Sequence, residues 1–223
     1  MRTAGERSAG KVEPLSSDEN QRLRLQLRLS HDWGPRLASR LRKEWVKLRN
    51  PLADIRFGPG SVAGPGFSIS APWGGRFHCG ANCEFRRGFI AELAGPDSTI
   101  EIGNRTVFTY HSLVQCAGTI SVGDDASFGQ SSMLVDGNHR FRDLDRPVLE
   151  QGYDVRPIRI DDEATTMTKC TIIADIGRHA IVGANAVVLS PVPAYTVAVG
   201  VPARVVDYFG PPGQEPEGWE GDG

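Results

Sequence analysis

The sequence lacks any apolar run long enough for a membrane-spanning helix, which needs roughly 18 residues. Its first residues are charged and contain glycine and serine, so the apolar segment of a secretory signal is also missing. We therefore expect a soluble protein of the cytoplasm.

Cysteine is scarce, and the four cysteines do not form the two close pairs of a zinc site. They are Cys79, Cys83, Cys116 and Cys170. The spacing of Cys79 and Cys83 leaves metal binding open, but both fall at positions for small or apolar residues, which favours buried thiols. We predict no metal, and free thiols fit a reducing compartment.

Charge is nearly balanced overall but unevenly distributed. Residues 1–56 carry 13 Arg and Lys against 7 Asp and Glu, whereas the remainder carries 12 against 20. No nucleic-acid reader motif and no aromatic stacking platform accompany the basic part. We therefore expect no nucleic-acid partner.

An apolar residue returns every six positions along much of the chain. The series before His139 is Val122, Phe128 and Leu134, and the series after it is Cys170, Ile176, Val182 and Val188. A period of six fits neither a helix nor an alternating strand, but it fits a solenoid whose triangular coil has three such sides. The pattern predicts an all-β solenoid over residues 51–206. Glycine and proline at 64–66 and 71–75 predict irregular early coils after a start at Phe57.

The six-residue rhythm stops around His139. Residues 140–156 are too polar and aperiodic to form another coil, so residues 137–157 are predicted to form a loop beside the solenoid. Such loops carry function in solenoids, and we interpret this one as the active-site loop. The alternative is a surface histidine next to an insertion without function.

Both ends of the chain differ from the solenoid. Residues 1–17 and 207–223 are poor in apolar groups or rich in Gly, Pro and Glu, and both are expected to be disordered. Residues 18–50 are interpreted as a helical extension, although the leucines at 23–29 also alternate as in a strand. Residues 35–48 form the clearest helix, with an apolar stripe that we expect to pack on the solenoid. The stripe contains Leu37, Leu41, Trp45 and Leu48.

Four motifs resemble those of a known family. They are Val122-Gly123-Asp124-Asp125, Asp136-x-x-His139 before a polar loop, Pro157-Ile158-Arg159-Ile160, and Gly200-Val201-Pro202-Ala203-Arg204-Val205. Together they make residues 55–206 similar to the hexapeptide-repeat acyltransferases, and within these to the maltose and galactoside type of sugar O-acetyltransferase. The resemblance implies a left-handed parallel β-helix that assembles as a homotrimer.

The resemblance also implies an activity and a cofactor site. His139 matches the general base that takes a proton from an acceptor hydroxyl as it attacks the thioester of acetyl-CoA or another acyl-CoA. Coenzyme A is expected along a groove between two subunits, where the matching residues are Thr168, Ala184, Ser190 and Arg204. Arginine offers paired donors, so Arg204 is the residue best suited to a phosphate.

The acceptor site is implied by position. Its expected residues are Asp136, Asn138, Arg140 and Arg142 at the loop, with Thr109 and His111 in the coil below. Thr109 replaces an acceptor-contacting Asn of the family, and Thr165-Thr166-Met167 replaces its Trp-Ile-Gly. We expect O-acyl transfer to a sugar, a polysaccharide precursor or a glycolipid. We expect the transferred acyl group to be one other than an aminoacyl group.

Alternative interpretations remain. A gamma-class carbonic anhydrase shares the solenoid and binds zinc with three histidines, but none of the five histidines here closely follows His139. A non-catalytic scaffold and an N-acyltransferase for an amino sugar or amino acid also stay open. Residues 18–49 fit either a helix packed on the solenoid or a peripheral contact with the inner membrane face.

Overall fold

The computed structural model describes residues 35–217 and Trp219. Predictions for residues 1–17 and for the ambiguous leucine segment at 18–29 fall outside the described part. The described chain is a left-handed parallel β-helix preceded by one helix, α1, at Pro35–Arg49. The fold class predicted from the six-residue period is therefore confirmed.

Three parallel sheets form the sides of a prism, which we call sides A, B and C. Side A contains β1 (Ala53–Phe57), β4 (Gly75–Cys79), β7 (Thr99–Ile102), β10 (Thr119–Val122) and β15 (Ile158–Ile160). Side B contains β2 (Val62–Ala63), β5 (Glu84–Phe85), β8 (Val107–Phe108), β11 (Ser127–Phe128), β16 (Thr165–Thr166), β18 (Ile181–Val182), β20 (Thr196–Val199) and β21 (Arg204–Tyr208). Side C contains β3 (Ser68–Ser70), β6 (Ile90–Leu93), β9 (Leu113–Cys116), β12 (Met133–Val135), β17 (Thr171–Ile172) and β19 (Val187–Val188). A separate hairpin pairs β13 (Gly137–His139) with β14 (Tyr153–Val155).

The six-residue rhythm builds the core because each apolar position points inward from the same place on every coil. On side B, Phe85 stacks on Phe108 at 5.6 Å between ring centroids, and Phe108 stacks on Phe128 at 4.4 Å. Above them the same ladder continues through smaller buried residues, Thr166, Val182 and Ala198. The core is therefore aromatic in the early coils and aliphatic in the later ones.

The corners are made by residues in the left-handed region of backbone conformation. Among the described residues, ten other than glycine adopt φ between 57° and 62°, including Arg105, Asp125 and Glu163 at equivalent corners of successive coils. The backbone N–H of Arg105 donates to Ala81 O, and that of Asp125 donates to Asn104 O, both at 2.8 Å. These bonds to the coil below offset the strain of the left-handed conformation.

The early coils keep their strand pairing but are longer and less uniform than the later ones, in line with the expectation of irregularity. Successive strands of side B begin 22, 23 and 20 residues apart from β2 to β11, but 16 apart from β16 to β18. Strand β1 begins at Ala53, four residues before the predicted start, and pairs with β4 residue by residue up to Phe57↔Cys79. The glycines and prolines of 64–66 and 71–74 lie in corners, where Gly66 adopts φ 73°, and Gly75 begins β4. They shape turns of the coil and do not interrupt its strands.

Helix α1 forms where the sequence predicts it, but it presents the opposite face to the solenoid. The predicted packing stripe is exposed, with relative exposures of 66% for Leu37, 64% for Leu41, 58% for Trp45 and 71% for Leu48. The buried positions are instead Ser39 and Val46, followed by Asn50 just beyond the helix. The prediction that the leucine stripe packs on the solenoid is therefore wrong.

The reversal follows from what α1 covers. Strands β2 and β3 end their sheets, so the first coil has backbone groups without a strand partner on one side. Ser39 Oγ accepts from the N–H of Ala63 at 2.9 Å, and Arg42 donates to Ala63 O at 2.9 Å. Lys43 donates to Ser61 O at 2.9 Å, and burial lowers its pKa.

Asn50 completes this cap. Its Nδ2 donates to Ile69 O at 2.9 Å, and its Oδ1 accepts from the N–H of Ala71 at 2.8 Å. A strand edge needs hydrogen-bonding partners more than apolar contact, so the polar face of α1 faces inward.

At the other end the chain folds back on itself. Strand β21 pairs antiparallel with β20 and extends to Tyr208, two residues beyond the predicted end of the solenoid at Val206. The turn before it contains a cis Val201–Pro202 peptide and bonds to β19 through Val187 N–H to Gly200 O at 3.0 Å. No helix of the described chain is long and apolar enough to cross a membrane.

Candidate active site

The segment predicted as the active-site loop is a hairpin with an ordered tip. Strand β13 pairs with β14 so that Gly137 faces Val155 and His139 faces Tyr153. The hairpin leaves the prism at the edge between sides C and A, after β12 and before β15. Residues 140–152 form its tip and include a short 3₁₀ helix, Val148–Glu150.

His139 lies half-buried against its cross-strand neighbour. The imidazole and the Tyr153 ring are 4.3 Å apart between centroids, with 36° between their planes. Nδ1 is buried and has no hydrogen-bond partner among the described residues. The ring is thus held by packing against Tyr153 and not by a hydrogen bond of Nδ1. An imidazole can accept a proton in one step of a reaction and return it in the next.

Asp136 anchors the base of the hairpin. It is 4% exposed, and its carboxylate accepts from the N–H of Ala117 at 2.6 Å and of Gly118 at 2.9 Å. The Cys116 thiol also donates to it at 3.4 Å. All three contacts to this carboxylate come from the coil below. Asp136 therefore holds the start of the hairpin and helps to position His139, three residues further along the chain.

The hairpin approaches the coil closely because two glycines leave room. A Cβ on Gly118 would lie 2.5 Å from Val155 Cγ1, and one on Gly137 would lie 3.0 Å from Ala117 Cβ. Burial, with the nearby charge of Asp136, raises the pKa of Cys116 to about 12. This thiol stays neutral at physiological pH and is a packing group and not a nucleophile. All four cysteines are free and buried, as predicted.

The tip is tied together by Gln151. Its Nε2 donates to Asp143 O and to Arg146 O, both at 2.8 Å, and its Oε1 accepts from the N–H of Asp143 at 3.0 Å. These bonds fix the loop without an apolar core.

The loop arginines have different surroundings. Arg140 donates to Asp154 across the hairpin at 2.7 Å, whereas Arg142 lies over the Phe141 ring, 5.4 Å from its centroid. Arg142 makes no ion pair within the described chain, and Asn138 is exposed beside it on the hairpin. Of the predicted acceptor contacts, Arg142 and Asn138 therefore keep free polar groups, whereas Arg140 is paired.

The other predicted site residues lie on two different edges of the prism. Ser190 follows β19 on the edge from which the hairpin leaves. Thr109, His111, Thr168 and Ala184 lie on the edge between sides B and C. Arg204 starts β21 just beyond that second edge. A single chain therefore places Ser190 on the same edge as His139, but places the other predicted residues on or beyond a different edge.

The structure shows what surrounds the residues that depart from the family motifs. Thr109 Oγ1 donates to Phe128 O at 2.8 Å, so its hydroxyl already serves the coil above. Thr166 is buried in the side B ladder, and Met167 is exposed at the next corner. No group of three or more potential metal ligands occurs in the described part of the chain.

Comparison with solved structures identifies the fold. The N-acyltransferase AntD from Bacillus cereus, in complex with dTDP and 3-hydroxybutyryl-CoA, superposes with a TM-score of 0.59 over 74% of this chain and 87% of that chain. The two sequences are 17% identical. The chain shares its β-helix fold with AntD. At this identity the likeness establishes the fold alone.

Two curated relatives match parts of the chain. A probable acetyltransferase from Mycobacterium tuberculosis is 29% identical over 112 residues, or 49% of this chain and 37% of that protein. A serine acetyltransferase from Haemophilus influenzae is 59% identical over 32 residues, or 14% of this chain and 12% of that protein. The chain thus spans less than half the length of these relatives. No protein-family model matches it.

Sequence reasoning missed Tyr153 and Gln151. Tyr153 is recognised only once the hairpin register is known, because the residue that faces His139 depends on where the turn falls. Gln151 orders the tip through main-chain partners, which leave no sequence pattern. Asp136 could be found from the sequence because it belongs to the Asp136-x-x-His139 motif. Its burial could not be predicted from the sequence.

Proposed function

We propose that the protein transfers an acyl group from acyl-CoA to a hydroxyl of a small acceptor, with His139 as the general base. The observation that carries this proposal is the setting of His139 on a hairpin beside the solenoid. Its ring packs against Tyr153, and its Nδ1 is buried without a hydrogen-bond partner among the described residues. A histidine with a purely structural role would use its buried ring nitrogen in a hydrogen bond.

One base is sufficient for the proposed reaction, because the same histidine accepts the proton and later returns it. Nε2 of His139 takes the proton of the acceptor hydroxyl as its oxygen bonds to the thioester carbonyl carbon. The tetrahedral intermediate then collapses, the C–S bond breaks, and the imidazolium returns the proton to the thiolate of coenzyme A. The products are the acylated acceptor and free coenzyme A, and the histidine ends neutral.

The relatives support an acyl-CoA donor. The curated matches are named as acetyltransferases, and AntD was solved with a coenzyme A thioester. In this chain, Arg204 is exposed, and its one side-chain hydrogen bond within the described residues goes to the neighbouring Ala203 O. Its guanidinium is free to bind a phosphate of coenzyme A.

We further propose that the active site is shared between copies in a homotrimer. The hairpin and Ser190 lie on one edge of the prism, and Thr168, Ala184 and Arg204 lie at or beyond another. Packing one edge against the other from a second copy would place the donor groove beside His139. A buried ring nitrogen without a partner costs about 1 to 3 kcal/mol, and a group from the second copy would satisfy Nδ1 of His139.

Amine acceptors are the second candidate. AntD is described as an N-acyltransferase, and Arg142 offers an unpaired guanidinium on the hairpin for an anionic group of such an acceptor. The same base and donor would serve an amine. The two candidates differ only in the acceptor atom, so acceptor screening separates them.

The test is coenzyme A release from acetyl-CoA with a panel of sugars, amino sugars and serine. We expect His139→Ala to lower the rate by about 10²- to 10⁴-fold while oligomer mass and melting temperature stay unchanged. His78→Gln is the matched control, because His78 is a partly buried histidine that pairs with Asp54 at 2.9 Å on side A. Near wild-type turnover in His139→Ala would rule out the proposed mechanism.

A further inference from the structure

The outward face of α1 is an apolar surface that the rest of the described chain does not cover. Leu37, Leu41, Trp45 and Leu48 lie along it. A shallow groove between Leu41, Trp45 and Pro51 is also lined by Glu44 and Lys47, which form an ion pair with each other at 3.0 Å. Exposed apolar patches of this kind mark interaction sites.

The surface continues onto the first corner of the solenoid. Leu52 is 73% exposed and Trp73 is 69% exposed. Gly74, the residue after Trp73, lies against Leu52, since a Cβ on Gly74 would sit 3.1 Å from Leu52 O. The apolar face therefore extends beyond the helix, with one tryptophan on α1 and another on the solenoid.

The orientation of this face is fixed. Ser39, Arg42, Lys43 and Asn50 bond to backbone groups of the first coil on the opposite side of the helix. Rotating the leucines inward would break these bonds and leave strand-edge groups unpaired. The apolar stripe is thus held away from the solenoid.

Charge decides what kind of partner the face suits. Helix α1 contains six Arg and Lys against one acidic residue, Glu44. Arg40 and Arg49 are exposed and form no ion pair within the described chain. Packing the same face of a second copy against it would bring two strongly basic helices together. An anionic partner is favoured instead.

We propose that the outward face of α1, together with Leu52 and Trp73, seats the protein on an anionic lipid surface. Leucines would enter the boundary of the acyl chains, and tryptophan is suited to the interface because its ring is apolar and its N–H is polar. Arg40 and Arg49 flank the stripe and would contact anionic headgroups. The proposal is independent of the acyltransferase assignment.

The test is sedimentation of the full-length protein with phosphatidylcholine vesicles that contain phosphatidylglycerol. We expect binding at low salt, weakening at high salt, and a loss of about fivefold in affinity for each of Arg40→Gln and Arg49→Gln. The double variant Leu41→Ser/Trp45→Ser should lose more than about tenfold, because two apolar side chains no longer enter the lipid.

Leu144→Ser is the matched control, since Leu144 is 94% exposed but lies on the hairpin tip. It should bind vesicles as wild type does, and all variants should keep the wild-type melting temperature within a few degrees. Wild-type protein that stays in the supernatant, or a double variant that binds like wild type, would overturn the proposal. A smaller oligomer in the double variant, without any vesicle binding by wild type, would assign the face to a second copy and also overturn it.

Discussion

One buried carboxylate, Asp136, lies where the hairpin leaves the coil and anchors it there. Asp136 accepts two backbone N–H groups and a thiol from the preceding coil, and its own carbonyl accepts from the N–H of Arg156 at 2.8 Å. The two strands of the hairpin are therefore tied together at their base. The position of His139 depends on these hydrogen bonds of Asp136 as well as on packing against Tyr153.

Asp136→Asn tests the hydrogen bonds that hold the base of the hairpin to the preceding coil. An amide accepts with one oxygen only, so one backbone N–H would face an NH₂ group, and we expect the free energy of unfolding to fall by about 1 to 3 kcal/mol. Displacement of His139 should lower kcat more than it raises KM. Urea unfolding and acetyl-transfer kinetics measure the two effects.

Asp154→Asn is the control for that variant. Asp154 is an exposed hairpin carboxylate paired with Arg140, so its loss should cost less than about 1 kcal/mol. Equal losses of stability in the two variants would contradict the anchoring role of Asp136.

At the scale of the element, α1 shows that a strand edge selects a polar helix face. The open backbone groups of the first coil are satisfied by four side chains of the segment from Ser39 to Asn50. Val46 adds the one fully buried apolar contact of the helix. The helix is attached by hydrogen bonds with a single apolar anchor.

Val46→Ala and Leu41→Ala form a matched pair on α1. We expect Val46→Ala to lower the free energy of unfolding by about 1 to 3 kcal/mol, because buried apolar volume is lost. Leu41→Ala should change it by less than about 0.5 kcal/mol, because the side chain is exposed. Thermal and urea melts measure both, and the reverse order would mean that the stripe packs inward.

The buried face of α1 also shows a limit of prediction from the sequence. The six-residue period predicted the solenoid, and the interruption at His139 predicted a loop beside it, because both patterns are local in sequence. That the loop is a hairpin was seen only in the structure. The face that α1 buries was predicted wrongly, because apolar periodicity assumes that a helix neighbours apolar side chains. Here its neighbour is unpaired backbone. Likewise, the partners of Asp136 lie about twenty residues away and depend on how the coils stack.

At the scale of the whole molecule, the candidate site is divided between two edges of the prism. Trimerisation would join them and would also place the three α1 helices on one end of the assembly, if the solenoids run parallel. Binding through three such faces strengthens attachment to a surface without any new contact.

The trimer is checked by analytical ultracentrifugation. We expect a mass three times that of the 24.2 kDa chain at micromolar concentration, and His139→Ala should keep it. A monomer that retains full acetyl transfer would contradict a shared site.

The two ends of the solenoid have closures of different kinds. Helix α1 covers the strand edges of the first coil, and β21 runs antiparallel over the last strand of side B. A stack of parallel coils is otherwise a template on which another chain can add in register, as in a growing amyloid fibre. On side B both ends of this template are covered, by α1 at β2 and by β21 at β20, so another chain cannot add in register there without displacing them.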